Sequence, residues 1–127
     1  MTRKPPSKPT DSEHKILQVL WQRGPSTVRQ VLHACGPETG YTTALKLLQI
    51  MNEKGLVARD ETQRPQVYRP VMSEEQTQQQ IVRGLLDRVF GGSAKKLVMQ
   101  ALSSEKASAA DLSEIRELLN ELEKGKQ

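Results

Sequence analysis

A chain of 127 residues with a single cysteine has room for one compact domain or two small modules, and it leaves little space for a large catalytic fold. The lone cysteine excludes an internal disulfide and a thiolate metal cage, in keeping with a reducing compartment. No apolar run approaches the roughly 18 residues of a membrane span, and Met1 to Pro9 lacks the apolar core of a signal peptide, so the chain is expected to be cytoplasmic and not inserted in a membrane.

The net charge of +4 is unevenly placed: residues 1–72 hold 11 Lys/Arg against 6 Asp/Glu, and residues 73–127 hold 8 against 9. A basic head joined to a near-neutral, leucine-patterned tail suits a polyanion binder whose tail pairs with a second copy.

In chain order, residues 1–9 include three prolines and read as a disordered basic arm. Thr10, Asp11 or Ser12 can cap a first helix whose apolar face is Ile16, Leu17, Val19, Leu20 and Trp21, ended by Gly24-Pro25. Ser26 and Thr27 begin a second, with Val28, Val31, Leu32 and Cys35 at i, i+3, i+4, i+7, before Gly36-Pro37 stops it. The third, Tyr41 to Gly55, places Ala44, Leu47, Leu48 and Met51 on one face and Thr42, Lys46, Gln49 and Glu53 on the other. Hydroxyl, amide and ammonium groups of that kind read base edges in a major groove, although any surface helix has a polar back.

After Gly55 the pattern turns extended. Leu56 to Arg59 and Gln66 to Arg69 are short β-favourable runs around the polar turn Asp60 to Pro65. Three helices and a hairpin predict a winged helix-turn-helix over residues 10–72, mainly α with a small β-hairpin wing. The third helix then enters the major groove, and Arg59, Arg64 and Arg69 lie along the phosphates. An ordinary solvated hairpin is the alternative for these arginines.

Residues 73–127 predict three more helices. Ser73-Glu74-Glu75-Gln76 is a capping box ahead of Val82, Leu85, Leu86, Val89 and Phe90, and Gly91-Gly92 breaks that helix. Ser93 caps the next, with Ala94, Leu97, Val98, Ala101 and Leu102, and Ser108 opens the last, where Leu112, Ile115, Leu119 and Leu122 are spaced 3-4-3 like a heptad seam. Short amphipathic helices of this kind need a cover, so a helical dimerisation region is expected. Folding back on the winged head is the other possibility.

The run Val19-Leu20-Trp21-Gln22-Arg23-Gly24-Pro25-Ser26-Thr27-Val28-Arg29-Gln30-Val31 is followed by Tyr41-Thr42-Thr43, Glu53-Lys54-Gly55-Leu56-Val57, Arg64 with Tyr68-Arg69-Pro70, and Val89-Phe90-Gly91-Gly92-Ser93. In these motifs and their order, from about Thr10 to Leu122, the chain resembles the penicillinase-repressor family of the BlaI/MecI type. The resemblance implies a homodimeric transcriptional repressor whose winged helix binds double-stranded operators with TACA and TGTA half-sites and whose helical tail dimerises. Thr42, Thr43 and Lys46 match family positions that face DNA. In the best-known members a membrane-bound zinc metalloprotease sensor brings about cleavage in the fifth helix between an asparagine and a phenylalanine. Here Gln100-Ala101 stands at that position, so the release signal is not inherited. Copper-responsive relatives carry paired cysteines near the C-terminus, and this sequence has none after Cys35.

The remaining candidates are read from their chemistry. Tyr41 can meet sugar or phosphate, or anchor the turn before the third helix, and Gln49 lies one turn deeper. Cys35 continues an apolar stripe and reads as core. His33 and Cys35 point about 200° apart on a helix, so they cannot chelate one ion together, and no metal or cofactor is expected. No Ser/His/Asp signature, P-loop or nucleotide fingerprint is present, so no enzyme is expected. A protein-interaction adaptor is the rival reading, distinguished by having no need for Lys46, Arg59 and Arg64 on one side.

Overall fold

In a computed structural model, residues 8–36 and 38–125 are described. The expected arm therefore falls outside the described residues except at Lys8 and Pro9, and Pro9 is buried. The element order is α1 (Asp11–Arg23), α2 (Val28–Cys35), α3 (Tyr41–Lys54), β1 (Val57–Asp60), β2 (Val67–Pro70), α4 (Glu74–Arg88), α5 (Ala94–Ser104) and α6 (Ala109–Lys124). This is the mainly helical architecture with a two-stranded hairpin that the sequence predicts. Two compact units divide the chain, one ending at Arg83 and the next beginning at Gly84.

Each helix of the first unit begins where local chemistry allows. Thr10 closes α1 with a reciprocal box: its hydroxyl accepts from the Glu13 N–H, and the Glu13 carboxylate accepts from the Thr10 N–H. Thr27 and Gln30 repeat the device on α2, and Ser73 and Gln76 on α4. Gly24 and Gly55 take positive φ at the ends of α1 and α3, a region open to glycine at no steric cost.

The core of the head is Ile16, Leu17, Leu20, Val28, Val31, Ala44, Leu48, Met51, Leu56, Val57 and Tyr68. These residues are the inner stripes of three helices plus one face of the hairpin, so each amphipathic element is satisfied by the others. Leu47, expected inside, is half-buried and packs against the margin of this core, as Leu45 and Trp21 do elsewhere on it.

The hairpin is antiparallel, pairing Val57 with Pro70, Ala58 with Arg69, Arg59 with Tyr68 and Asp60 with Val67. Its strands begin one residue later than the sequence pattern suggests. Leu56 still joins the ladder, because its carbonyl accepts from the Val71 N–H at 3.0 Å. Ser26 does not start α2. Its N–H and C=O exchange hydrogen bonds with Tyr68 at 2.9 and 2.8 Å, a single antiparallel bridge that attaches the α1–α2 connector to the wing. Ser26 is buried, and its hydroxyl donates to the Gly24 carbonyl, so burial leaves no polar atom of that side chain unpaired.

Glu13 is the unexpected charge in this interior, its side chain 3% exposed. Its partner is Lys54 at 2.7 Å, so the start of α1 is joined to the end of α3. Burial alone pushes the Glu13 carboxyl up, but the Lys54 ammonium and the Thr10 N–H outweigh it and hold the group below its ordinary value of 4.5.

In the second unit, Ser93 caps α5 and Ser108 with Asp111 closes a box on α6. Gly91 and Gly92 both take positive φ, and the Gly92 N–H donates to the Leu86 carbonyl, which ends the helical path. No residue of α5 or α6 is fully buried. Val98, Leu102, Leu112, Leu119 and Leu122 are all exposed, as is Val89, whereas Leu85, Leu86, Phe90, Leu97 and Ile115 are half-buried.

Candidate nucleic-acid interface

Helix α3 presents one fully buried side and one open side. Ala44, Leu48 and Met51 are at most 1% exposed and fix the helix on the head. Thr42, Thr43, Lys46 and Gln49 consequently face outward as an exposed polar edge, with Tyr41 exposed at its start. No ion pair among the described residues engages Lys46, so its ammonium is available to an acceptor.

The beginning of α3 differs from the other helix starts. Its cap is Gly40, which provides no side-chain acceptor, so only backbone contacts are available to the first-turn N–H groups of Tyr41, Thr42 and Thr43. Open N–H groups at the positive end of a helix suit a phosphate oxygen.

Arg29 is a member of this surface that the periodicity of α2 did not reveal. It is exposed on α2, and its guanidinium lies over the Tyr41 ring, 5.4 Å from the centroid. The two side chains share a shallow groove with Thr27, Leu45, Pro65 and Gln66, which brings the start of α2, the start of α3 and the turn that leads into β2 together. Tyr41 is thus held by a cation rather than by core packing, and it keeps 45% exposure. An Arg at the second helical position of α2, spaced to meet the third helix, is the only trace of this contact in the sequence.

The three wing arginines are not equivalent. Arg64 and Arg69 are exposed, and no ion pair among the described residues engages them. Arg59 pairs with Glu61 at 2.7 Å, and its Nε is shielded without a hydrogen-bond partner. Hydrogen bonding to Glu61, then to Tyr68, raises its pKa further. It stands opposite Tyr68 in the register, so its stem follows the core-facing side of the hairpin. At the tip, Asp60 accepts from the Thr62 hydroxyl and N–H and from Gln63, contacts that lower its pKa and close the turn.

Other candidates lie apart from this surface. Cys35 is half-buried, and burial raises its thiol pKa despite the opposing charge of Lys15. It lines a depression with Lys15, Val19, Glu38 and Leu47 that meets the α3 edge only at Thr43. Among the described residues no group of His, Cys, Asp and Glu is placed to hold a metal ion, and no helix is long and apolar enough to cross a membrane. Gln100 and Ala101 are exposed within α5.

Among solved structures, a MarR family protein from Bacillus stearothermophilus is similar in fold, with a TM-score of 0.51 and 20% sequence identity over 94% of this chain and 76% of that one. No curated protein matches. The family model described as penicillinase repressor matches residues 9–121, nearly the whole length, and with the winged head and its exposed α3 edge it shows that the chain belongs to the penicillinase repressor family.

Proposed function

We propose that the chain is a homodimeric, sequence-specific DNA-binding transcriptional repressor that reads an inverted-repeat operator of the TACA/TGTA type. The observation that carries this reading is the pairing of a buried inner face on α3 with an open outer edge of Thr42, Thr43 and Lys46, beside Tyr41 and Arg29. Thr and Lys on the edge supply base contacts, with Gln49 one turn along. Arg64, Arg69 and the first-turn N–H groups of α3 supply phosphate contacts that set register. Arg59 is the weakest member, because an encounter with phosphate must first displace Glu61.

Dimerisation is assigned to residues 73–127, the region beyond an operator-reading head of residues 10–72. Leu85, Leu86, Val89, Phe90, Leu97, Val98, Leu102, Leu112, Ile115, Leu119 and Leu122 form the apolar surface there, and Leu118, 55% exposed, joins them. Covering a half-exposed leucine contributes about 1 kcal/mol, so the whole set, counted on both copies, outweighs an association cost of roughly 4 to 15 kcal/mol. Two weak heads joined in this way act as one strong binder through effective concentration. Partnership with a membrane metalloprotease sensor rests on family likeness alone, since Gln100-Ala101 is not the family's scissile pair.

A mobility-shift titration of the intact chain on an inverted repeat and on scrambled DNA, with sedimentation at the same concentrations, tests the reading. Tight binding to the repeat by a dimer is expected. A single-copy species that binds both DNAs equally would favour a protein-interaction adaptor instead.

A further inference from the structure

The segment between the wing and α4 is only Val71, Met72 and Ser73, yet it is fixed to the head at several points. The Trp21 indole N–H donates to the Met72 carbonyl at 3.0 Å, a contact between residues 51 apart in sequence. His14 stands edge-on to that ring with centroids 5.7 Å apart and planes at 70°, holding the indole from one side. The Val71 N–H is held by Leu56, and Ser73 caps the helix through the Gln76 N–H. One turn on, Thr77 is 4% exposed, with its hydroxyl donating to the Ser73 carbonyl. The division between the two compact units falls later, at Arg83–Gly84, inside α4. The first turns of α4 therefore belong to the head, and the helix continues from there without a loop.

We propose that Trp21 is a positioning residue for operator geometry: by fastening the Met72 carbonyl to α1, it fixes the direction in which α4 leaves the head, and so sets the half-site spacing that a dimer accepts. The inference rests on the proposed function, because spacing has meaning only for two joined heads. Inserting one base pair turns one half-site by roughly 35° about the duplex axis and moves it along that axis, given about 10 base pairs per turn. Heads on a stiff connection cannot follow that change and both stay seated in the groove. Heads on a loosened one can, and effective concentration then varies slowly with spacing.

The test compares the intact wild-type chain with Trp21→Phe, which keeps an aromatic ring and removes the N–H. Three DNAs are titrated: an inverted repeat at its preferred spacing, the same repeat lengthened by one or two base pairs, and a single half-site. For the wild type, at least about tenfold discrimination between the first two is expected, falling below about threefold in the variant, while single half-site affinity stays within about twofold. Amide exchange at Thr77 should speed up by about fivefold to tenfold, the worth of one net hydrogen bond. If the phenylalanine chain does not fold, a tryptophan isostere with sulfur in place of the indole N–H is put at the same position and read identically. A variant with the wild-type spacing profile overturns the inference, as does one that loses single half-site affinity as strongly as repeat affinity, since Trp21 would then only support the head. A wild-type chain with no spacing preference overturns the inference as well, whereas one that binds the inverted repeat no better than the single half-site overturns the proposed function itself.

Discussion

Replacing Lys54 with Met isolates the contribution of its ion pair with the buried Glu13, because the apolar stem is kept and only the ammonium is removed. At the observed 2.7 Å, the gross attraction is roughly 6 kcal/mol for an effective dielectric of about 20. Most of that is offset by desolvating Glu13, and Lys54, 24% exposed, is partly screened by water. A hydrogen bond to a charged group is worth about 1.5 to 3 kcal/mol net, so Lys54→Met should cost about 2 kcal/mol at pH 7, or on the order of 10 °C in Tm for a head of this size. Urea unfolding followed by the fluorescence of Trp21, the sole tryptophan, reads the head separately from the tail. The pH dependence gives the sharper test. Because the folded Glu13 pKa lies below 4.5, its stabilisation is fully present above about 4.5 and is lost as pH falls through the folded value. The gap between wild type and variant should therefore narrow towards pH 3. A gap that holds steady from pH 7 to pH 3, or no gap at neutral pH, would refute the electrostatic account of how α1 is tied to the end of α3.

Further outcomes concern the reading surface and the tail. Lys46→Ala should relax sequence preference by about 1 to 3 kcal/mol per half-site, seen as a larger loss on operator than on scrambled DNA in filter binding. Arg29→Ala and Arg64→Ala should each weaken both DNAs alike and reduce the salt slope by about 0.9 for every phosphate that is no longer neutralised. Leu119→Asp with Leu122→Asp should yield a single-copy species by sedimentation, with a folded head and at least about tenfold weaker operator binding. Alkylation of Cys35 should be slow at pH 7 and rise only above its ordinary 9.0, because burial favours the neutral thiol, and a rate that levels off near neutrality would contradict this.

The elements legible in the sequence were those whose signals are local. Thr10 with Glu13, Thr27 with Gln30, Ser73 with Gln76 and Ser108 with Asp111 mark helix starts within four residues, and the stripes of α1 to α3 repeat at the period of the helix they form. The outer edge of α3 was legible for the same reason. Contacts that depend on distant segments were not. Glu13 reads as an exposed first-turn acid until Lys54, 41 residues away, is placed beside it. Ser26 has the residue type of a cap and instead bridges to the wing, because Tyr68 offers both of its backbone groups. Arg59 shares its residue type with Arg64, and only the hairpin register separates the arginine beside Tyr68 from the exposed one. The Arg29–Tyr41 stacking and the Trp21–Met72 bond leave no periodic trace at all.

Among the described residues, five of the six helices begin under a Ser or Thr hydroxyl, and α3, under Gly40, does not. On the proposed reading, the missing acceptor comes from outside: a backbone oxygen of the duplex completes the one helix that the protein leaves unfinished. Association would then rigidify α3 as well as occupy it, and part of the energy of recognition would appear as added order in the reader.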